Sequence, residues 1–362
     1  MDGRNEKCPK WDRAWNIVVE CLAPGFGVYA SPDRYLYQCW TRDLALAVAP
    51  LLLSYGHADI VKDHLRNLCE RQRDNGQIHI LFLSDEKEWR ARKVAQRGEN
   101  SFMVGRYDAG ELWNLTPGTK DPEILFVIAM YEYRNATGDN SLFEEFPTAI
   151  ESAIGYVEHY NMTDDKLVVG ADWRDTMEKE LANKPLLTNN VLLARAYQLM
   201  GQIEHAEDLE RQIMMQFVQE GLFVDYLPDG VRPDPLGLAL GVLNNVVPEA
   251  AYQTVVRQFG DVDTNCGVTI KCIHNPYSSG EQEVFAQTGG EVVWPFVVGF
   301  TAMALKKMGY IEYANEMLQK MEQLNGFYEW YDPRNGKGYG AKEQLWSAAL
   351  YIRASDYVRG IG

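Results

Sequence analysis

Two kinds of hydrophobic segment alternate along this chain. One kind is apolar on every side: LALAVAPLLL (Leu44 to Leu53) and WPFVVGFTAMAL (Trp294 to Leu305) leave no polar stripe, which predicts helices buried all round. The other kind is amphipathic. In 310–324 the apolar residues Ile311, Ala314, Met317, Leu318, Met321 and Leu324 recur at the helical period, and in 202–219 Ile203, Ala206, Leu209, Ile213 and Phe217 do the same. The whole pattern predicts helices over residues 11–22, 41–55, 57–73, 122–138, 140–160, 187–200, 202–219, 234–244, 247–258, 290–308, 310–324 and 341–358. Buried helices beside amphipathic partners imply two concentric layers.

Short turns centred on glycine join several of these segments: Tyr55-Gly56-His57, Thr137-Gly138-Asp139, Met200-Gly201-Gln202 and Met308-Gly309-Tyr310. Glycine just past a helix end takes the left-handed conformation without a steric penalty, so each turn predicts an antiparallel helical hairpin. Longer polar connections, 74–121, 161–186, 220–233, 259–289 and 325–340, separate the hairpins, and loops of that length in a compact domain usually bear function. Short strands are expected at 166–169 (KLVV) and 268–273 (VTIKCI). No repeat and no Gly/Ser- or Pro-rich linker divides the chain. The expectation is one all-α domain over 1–362: a toroid of six helical hairpins, an (α/α)6 barrel with long loops and minor β-structure, its pocket lying where the loops gather.

Composition narrows the partners. A net charge of −16 over 362 residues offers no basic stripe for phosphates, which argues against nucleic acid and anionic membrane surfaces as partners. No apolar run of about 18 residues suggests a membrane span. The N-terminal MDGRNEKCPKWD has no apolar signal region, and Cys8, Cys21, Cys39, Cys69, Cys266 and Cys272 show no CxxC pairing, so reduced thiols in a cytoplasmic protein are expected. No His/Cys/Asp cluster has metal-ligand spacing and no phosphate loop occurs. Neither a metal nor a cofactor is expected. Nine Trp and 20 Tyr provide faces that stack on sugar rings or build a large aromatic core.

The candidate chemistry sits in the long loops. Asp175 lies in GADWRDTM (Gly170 to Met177) and Glu329 in FYEWYDP (Phe327 to Pro333). Two carboxyl groups beside tryptophan, far apart in sequence, suit general acid and general base work on a glycosidic bond. Like charges close together raise one pKa, so Asp172 either tunes Asp175 or is itself the acid. In YLYQCWTRDLALAV (Tyr35 to Val48), Arg42 and Asp43 open a buried helix. They read as a cap and buried ion pair, or as a bidentate clamp on sugar hydroxyls with Trp40 as the wall. Gln77 and His79 end the turn DNGQIH (Asp74 to His79). Asp121 suits the N-cap of the helix that begins near Pro122. Asn189 and Asn190, in TNNVLLARAY (Thr188 to Tyr197), read as helix capping or as hydroxyl contacts.

These strings carry a resemblance. The Trp40–Asp43 string resembles the Trp-x-Arg-Asp segment of glucoamylases and the Arg-Asp segment of glycogen-debranching glucosidases (amylo-alpha-1,6-glucosidase), which lines the subsite of the non-reducing glucose. GADWRDTM resembles the debranching family's Trp-x-Asp segment, with Trp173 the tryptophan, Arg174 between and Asp175 the acid. The resemblance places Gln77 and His79 at the pocket rim, turns Asp121 toward substrate and puts Asn189 and Asn190 on hydroxyls. GVRPDPLGLALGV (Gly230 to Val242) is similar to the family's Arg-Pro-Asn helix start, with Asp234 in place of Asn. GGEVVWPFVVGF (Gly289 to Phe300) is similar to its Gly-x-Val-Trp-Pro string, which brings Trp294 near the sugar; Thr288 stands where the family has His or Gln. FYEWYDPRNGKGYGAKEQLWSAAL (Phe327 to Leu350) resembles the glucoamylase segment of the catalytic base, with Glu329 the base and Gln344, Trp346 and Ser347 on the closing helix.

The matches run in family order over about residues 35–355. They imply an inverting, exo-acting glycoside hydrolase with a carbohydrate substrate, releasing glucose or a similar hexose from an α-linked oligosaccharide or glucoside. The alternatives are a non-catalytic glycan-binding protein on the same barrel, a sugar epimerase working through histidines, and a phosphorylase.

Overall fold

The structure, a computed structural model, describes residues 9–230, 232–264 and 291–360; nothing is described of the Asp175 and Glu178 side chains. The expected strand 268–273, the start of the 290–308 helix, Gly289, Thr288 and Cys8, Cys266 and Cys272 lie outside the described residues.

Twelve principal helices alternate between two layers among these residues. They are α1 (Pro9–Glu20), α2 (Ala49–Ser54), α3 (Ala58–Arg71), α4 (Asp121–Thr137), α5 (Ala149–Tyr160), α6 (Leu187–Met200), α7 (Ile203–Gln216), α8 (Pro235–Leu243), α9 (Tyr252–Val262), α10 (Pro295–Lys307), α11 (Ile311–Gln323) and α12 (Leu345–Arg359). The even-numbered helices form the inner ring. Around it, α2 touches α4, α4 touches α6, and so on through α8, α10 and α12, which returns to the residues just before α2. Each odd-numbered helix packs on the outside of this ring. The chain is an (α/α)6 toroid.

Periodicity explains the sorting. Ile124 to Met130 of α4 and Pro295 to Leu305 of α10 are buried without a break, as helices with neighbours on all sides must be. In α11 only Ala314, Met317, Leu318 and Met321 are buried, and in α7 Ala206, Leu209 and Ile213. The helical period puts Ile311 and Ile203 on these buried stripes, but each is the first residue of its helix and is about half exposed. The four predicted glycine turns hold: Gly56, Gly138, Gly201 and Gly309 all have positive φ.

Proline accounts for several departures. The expected helix 140–160 divides into Ser141–Glu145 and α5, because Pro147 has no N–H to continue the ladder. The segment 247–258 starts late, with Pro248 extended, a 3-10 turn at Glu249–Ala251 and then α9. The segment 41–55 opens as a π-helix over Asp43–Val48 before α2. Pro50 cannot donate to Leu46, and the wider turn accommodates the lost bond. Arg353 of α12 donates to the carbonyls of Leu46 at 3.2 Å and Ala47 at 3.1 Å, so the acceptor that Pro50 leaves without its donor is satisfied from the neighbouring inner helix.

Two loop expectations need correction. Residues 166–169 form isolated bridges, Met162 with Val168 and Val169 with Pro185, rather than a strand. The connection 74–121 is not a bare loop. It contains strand Leu81–Leu83 paired with Gln38–Trp40, helices Glu86–Arg97 and Phe102–Asp108, and a small core of its own around Ile80, Leu81, Trp89, Leu112 and Leu115. Among the described helices none is long and apolar enough to cross a membrane.

Candidate active site

Each inner helix is entered from a long connection, and all but α12, which ends the described chain, lead on into an outer partner that runs back. All six entrances therefore face one end of the toroid. Arg42 and Asp43 precede α2, Asp121 opens α4, Asn189 and Asn190 lie in the first turn of α6, Asp234 caps α8, Trp294 precedes α10, and Gln344 with Trp346 flank the start of α12. The chain thus gathers polar and aromatic candidates from six sequence regions onto one rim.

Glu329 stands on a hairpin that enters α12. Trp330–Tyr331 pairs with Gly338–Tyr339, and the Trp330 and Tyr339 rings stack at 4.5 Å. The Glu329 N–H donates to Ala341 O at 2.8 Å and the Ala341 N–H donates back to Glu329 Oε2 at 2.9 Å. Tyr35 Oη donates to Oε1 at 2.9 Å, and Arg34 Nη1 reaches Oε2 at 3.5 Å. The carboxylate is held by these donors while its side chain keeps 16% of its exposure. Gly340 makes this possible: its φ is +77°, and a Cβ there would fall 2.3 Å from Glu329 Oε2.

Buried ion pairs brace the same rim. Arg42 takes Asp121 bidentately, Nε to Oδ2 at 2.6 Å and Nη2 to Oδ1 at 3.0 Å, and its Nη2 lies 3.4 Å from Asp172 O. Asp121 is thus not the expected N-cap; Lys120 occupies that position, and the Asp121 carboxylate faces Arg42. Arg174 binds Asp172 through its backbone N–H, Nε and Nη2 at 2.7–3.0 Å and approaches Asp234 at 3.6 Å and Asp225 at 3.9 Å. Both Asp172 oxygens are therefore engaged in an internal pair. Asp234 caps α8 at Gly237 N and accepts from Thr188 Oγ1 at 2.6 Å.

Asp43 differs from these. It is buried, and Gln344 Nε2 donates to its Oδ1 at 3.1 Å. Burial pushes its carboxyl up to about 7, with Arg42 opposing and Glu329 adding to the rise. Asn189 donates to Gly170 O and Ala171 O, and Asn190 exchanges bonds with Val168 and donates to Leu186 O. Both amides grip the backbone that leads into Asp172. His79 sits against Trp113 at 5.2 Å, and burial, then Arg71 and Arg73, lower its pKa to about 4. Gln77 accepts from Asn75 Nδ2 within its own turn.

An aromatic wall links the loops. Trp173 meets Trp294 at 5.3 Å and Phe296 at 5.2 Å, both edge-on; Phe296 stacks on Trp346 at 4.4 Å, and Trp294 lies 6.4 Å from Trp330. Trp40 meets Tyr35 edge-on at 6.1 Å. Asp175 follows the Trp173–Arg174 pair as the first residue of a 3-10 turn, Asp175–Met177; its side chain lies outside the described residues. No group of three or more His, Cys, Asp or Glu among the described residues is placed to hold a metal ion.

Three residues at this rim escape the sequence reading. Tyr35 opens the Trp40 string and Arg34 precedes it, but neither carries a pattern that names Glu329 as its partner. Glu123 falls in the first turn of α4 and belongs to none of the strings singled out in the sequence. It is buried, accepts from Ile78 N at 3.3 Å, and has its pKa raised by burial to about 7.

No family model matches the chain, and no curated protein matches it. Solved structures do. A glycosidase variant in complex with glucose aligns at TM-score 0.67 with 14% identity, over 97% of this chain and 96% of that one. A mannosylglycerate hydrolase from Thermus thermophilus, in complex with Tris, aligns at 0.63 with 14% identity, over 95% and 99%. A rhamnosidase from Klebsiella oxytoca with rhamnose bound aligns at 0.62 with 14% identity, over 96% of this chain and 64% of that one. At such identities the likeness establishes the (α/α)6 fold.

Proposed function

We propose that this chain is an inverting, exo-acting glycoside hydrolase that releases glucose or a similar hexose from an α-linked oligosaccharide or glucoside. Glu329 is the general base that activates water, and Asp175 is the general acid that protonates the leaving oxygen. The observation that carries the reading is the Glu329 carboxylate, fixed by Tyr35 Oη and the Ala341 N–H yet accessible at the rim where the inner helices begin. A base must hold one geometry and still reach its water. The engagement of both Asp172 oxygens by Arg174 supports Asp175 as the acid. Trp40, Trp173, Trp294 and Trp346 are offered as sugar-stacking walls. The ordered resemblance to glucoamylases and debranching glucosidases, and the glycosidases that share this fold, support the class.

Released hexose is measured from a panel of α-linked disaccharides, malto-oligosaccharides and hexosyl-glycerates. Glu329→Gln and Asp175→Asn are each expected to lower kcat by about 10³-fold, the scale of lost acid–base catalysis, with KM little changed. NMR of the first-formed sugar should show the anomer opposite to the substrate linkage. Product of retained configuration defeats the inverting mechanism, and turnover that survives Glu329→Gln defeats the role of that residue.

A further inference from the structure

Residues 81–117 leave the toroid and return, and their core is built on Trp89, which is fully buried. The helix that carries Trp89, Glu86–Arg97, is otherwise rich in solvated charge, yet Lys93 is only 5% exposed. A buried ammonium costs free energy that an apolar side chain would not, so its contacts matter. Lys93 Nζ donates to Arg34 O at 2.9 Å and lies 5.6 Å from the Tyr35 ring centre. Its neighbour Arg92 donates from Nη2 to Asp33 O at 2.5 Å. From the other side, Asp33 Oδ2 accepts the Lys342 N–H at 2.9 Å, next to the Gly340–Ala341 turn under Glu329. Segment 33–35 is thus clamped between the excursion and the base hairpin.

We propose that Lys93 is a positioning residue that holds the Asp33–Tyr35 backbone so that the Tyr35 hydroxyl and the Arg34 guanidinium stay on Glu329. The excursion 81–117 then belongs to the working site rather than decorating it. Burial lowers the Lys93 pKa to about 8, helped by Arg34, Arg97 and Arg92, while Glu329 opposes the drop. The catalytic part of this inference rests on Glu329 acting as the base; the clamp itself does not.

Lys93→Met, Lys93→Arg and the part-exposed Arg92→Ala are compared with the wild type by amide hydrogen exchange and by steady-state kinetics. In the wild type the Arg34 and Tyr35 amides both donate to Ser31 Oγ at 3.0 Å, which makes them reporters of the segment. Lys93→Met should speed their exchange at least about tenfold while the inner helices stay protected. It should lower kcat about tenfold with KM within about twofold, since a small misplacement of a catalytic group is costly. Lys93→Arg should restore both, and Arg92→Ala should shift them in the same direction by less. Unchanged exchange at Arg34 and Tyr35 in both Lys93→Met and Arg92→Ala overturns the clamp. Faster exchange with unchanged kcat, in a protein that Glu329→Gln inactivates, overturns the link to the base. Should the wild type turn over no glycoside while the exchange result holds, the hydrolase reading fails and the clamp stands.

Discussion

Single residues at the rim are governed by which partner each carboxylate finds. Asp121 and Asp172 each face an arginine at hydrogen-bond distance, whereas Asp43 accepts from the neutral Gln344 amide. Its pKa accordingly rises from 3.8 to about 7, mainly through burial. Between about pH 4 and 7 the folded chain keeps a proton that the unfolded chain has lost, so this group's contribution makes stability fall as pH rises through that window. A shift of that size corresponds to roughly 4 kcal/mol at most. Asp43→Asn, which stays neutral at every pH, should match the wild type near pH 4 and exceed it in melting temperature at pH 8. A thermal melt series from pH 4 to 8 measures this, and parallel curves would contradict it. Gly340 is the second residue to test. With φ at +77° and no room for a Cβ beside Glu329 Oε2, Gly340→Ala should displace the carboxylate and lower kcat by more than about tenfold. Kinetics in parallel with circular dichroism would separate that from unfolding.

At the level of elements, most helices follow from local pattern and the irregular ones follow from proline. The Met200-Gly201-Gln202 turn and helix α6 lie where the apolar period and the glycine place them, because both signals are local. The π-helical entry to α2 is different. Its cause, Pro50, is visible in the sequence, but its remedy is Arg353, about 300 residues away. Arg353→Met should leave the Leu46 and Ala47 carbonyls short of their charged donor and destabilise the protein by about 2–4 kcal/mol. A lowered urea midpoint at constant slope would show it. The β-hairpin that carries Glu329 reads in the sequence only as a polar loop, since two-residue strands are too short for an alternating pattern to register.

Across the whole molecule, the ring collects functional candidates by geometry alone. Six inner helices enter from one end, so residues from Arg42 to Trp346 meet on a single rim although no local signal joins them. The excursion 81–117 is the clearest case of something the chain hides. Its helix Glu86–Arg97 has a weak apolar stripe and reads as solvated charge, because only Trp89 and Lys93 of that helix are buried. Its core is completed by Ile80, Leu81, Leu112 and Leu115 from either side.

By itself the sequence determined the two layers, the hairpin turns, the all-α class and the strings around Asp175 and Glu329, since helical period, glycine conformation and motif spacing are all properties of neighbouring residues. Tertiary structure decided the partners. That Arg42 takes Asp121, that Arg174 approaches Asp225 and Asp234, and that Tyr35, Arg34 and, through them, Lys93 converge on Glu329 depend on closing the ring. Hydrogen bonds and ion pairs act over about 3 Å in space, and nothing in the spacing along the chain announces which charge will lie that close to which.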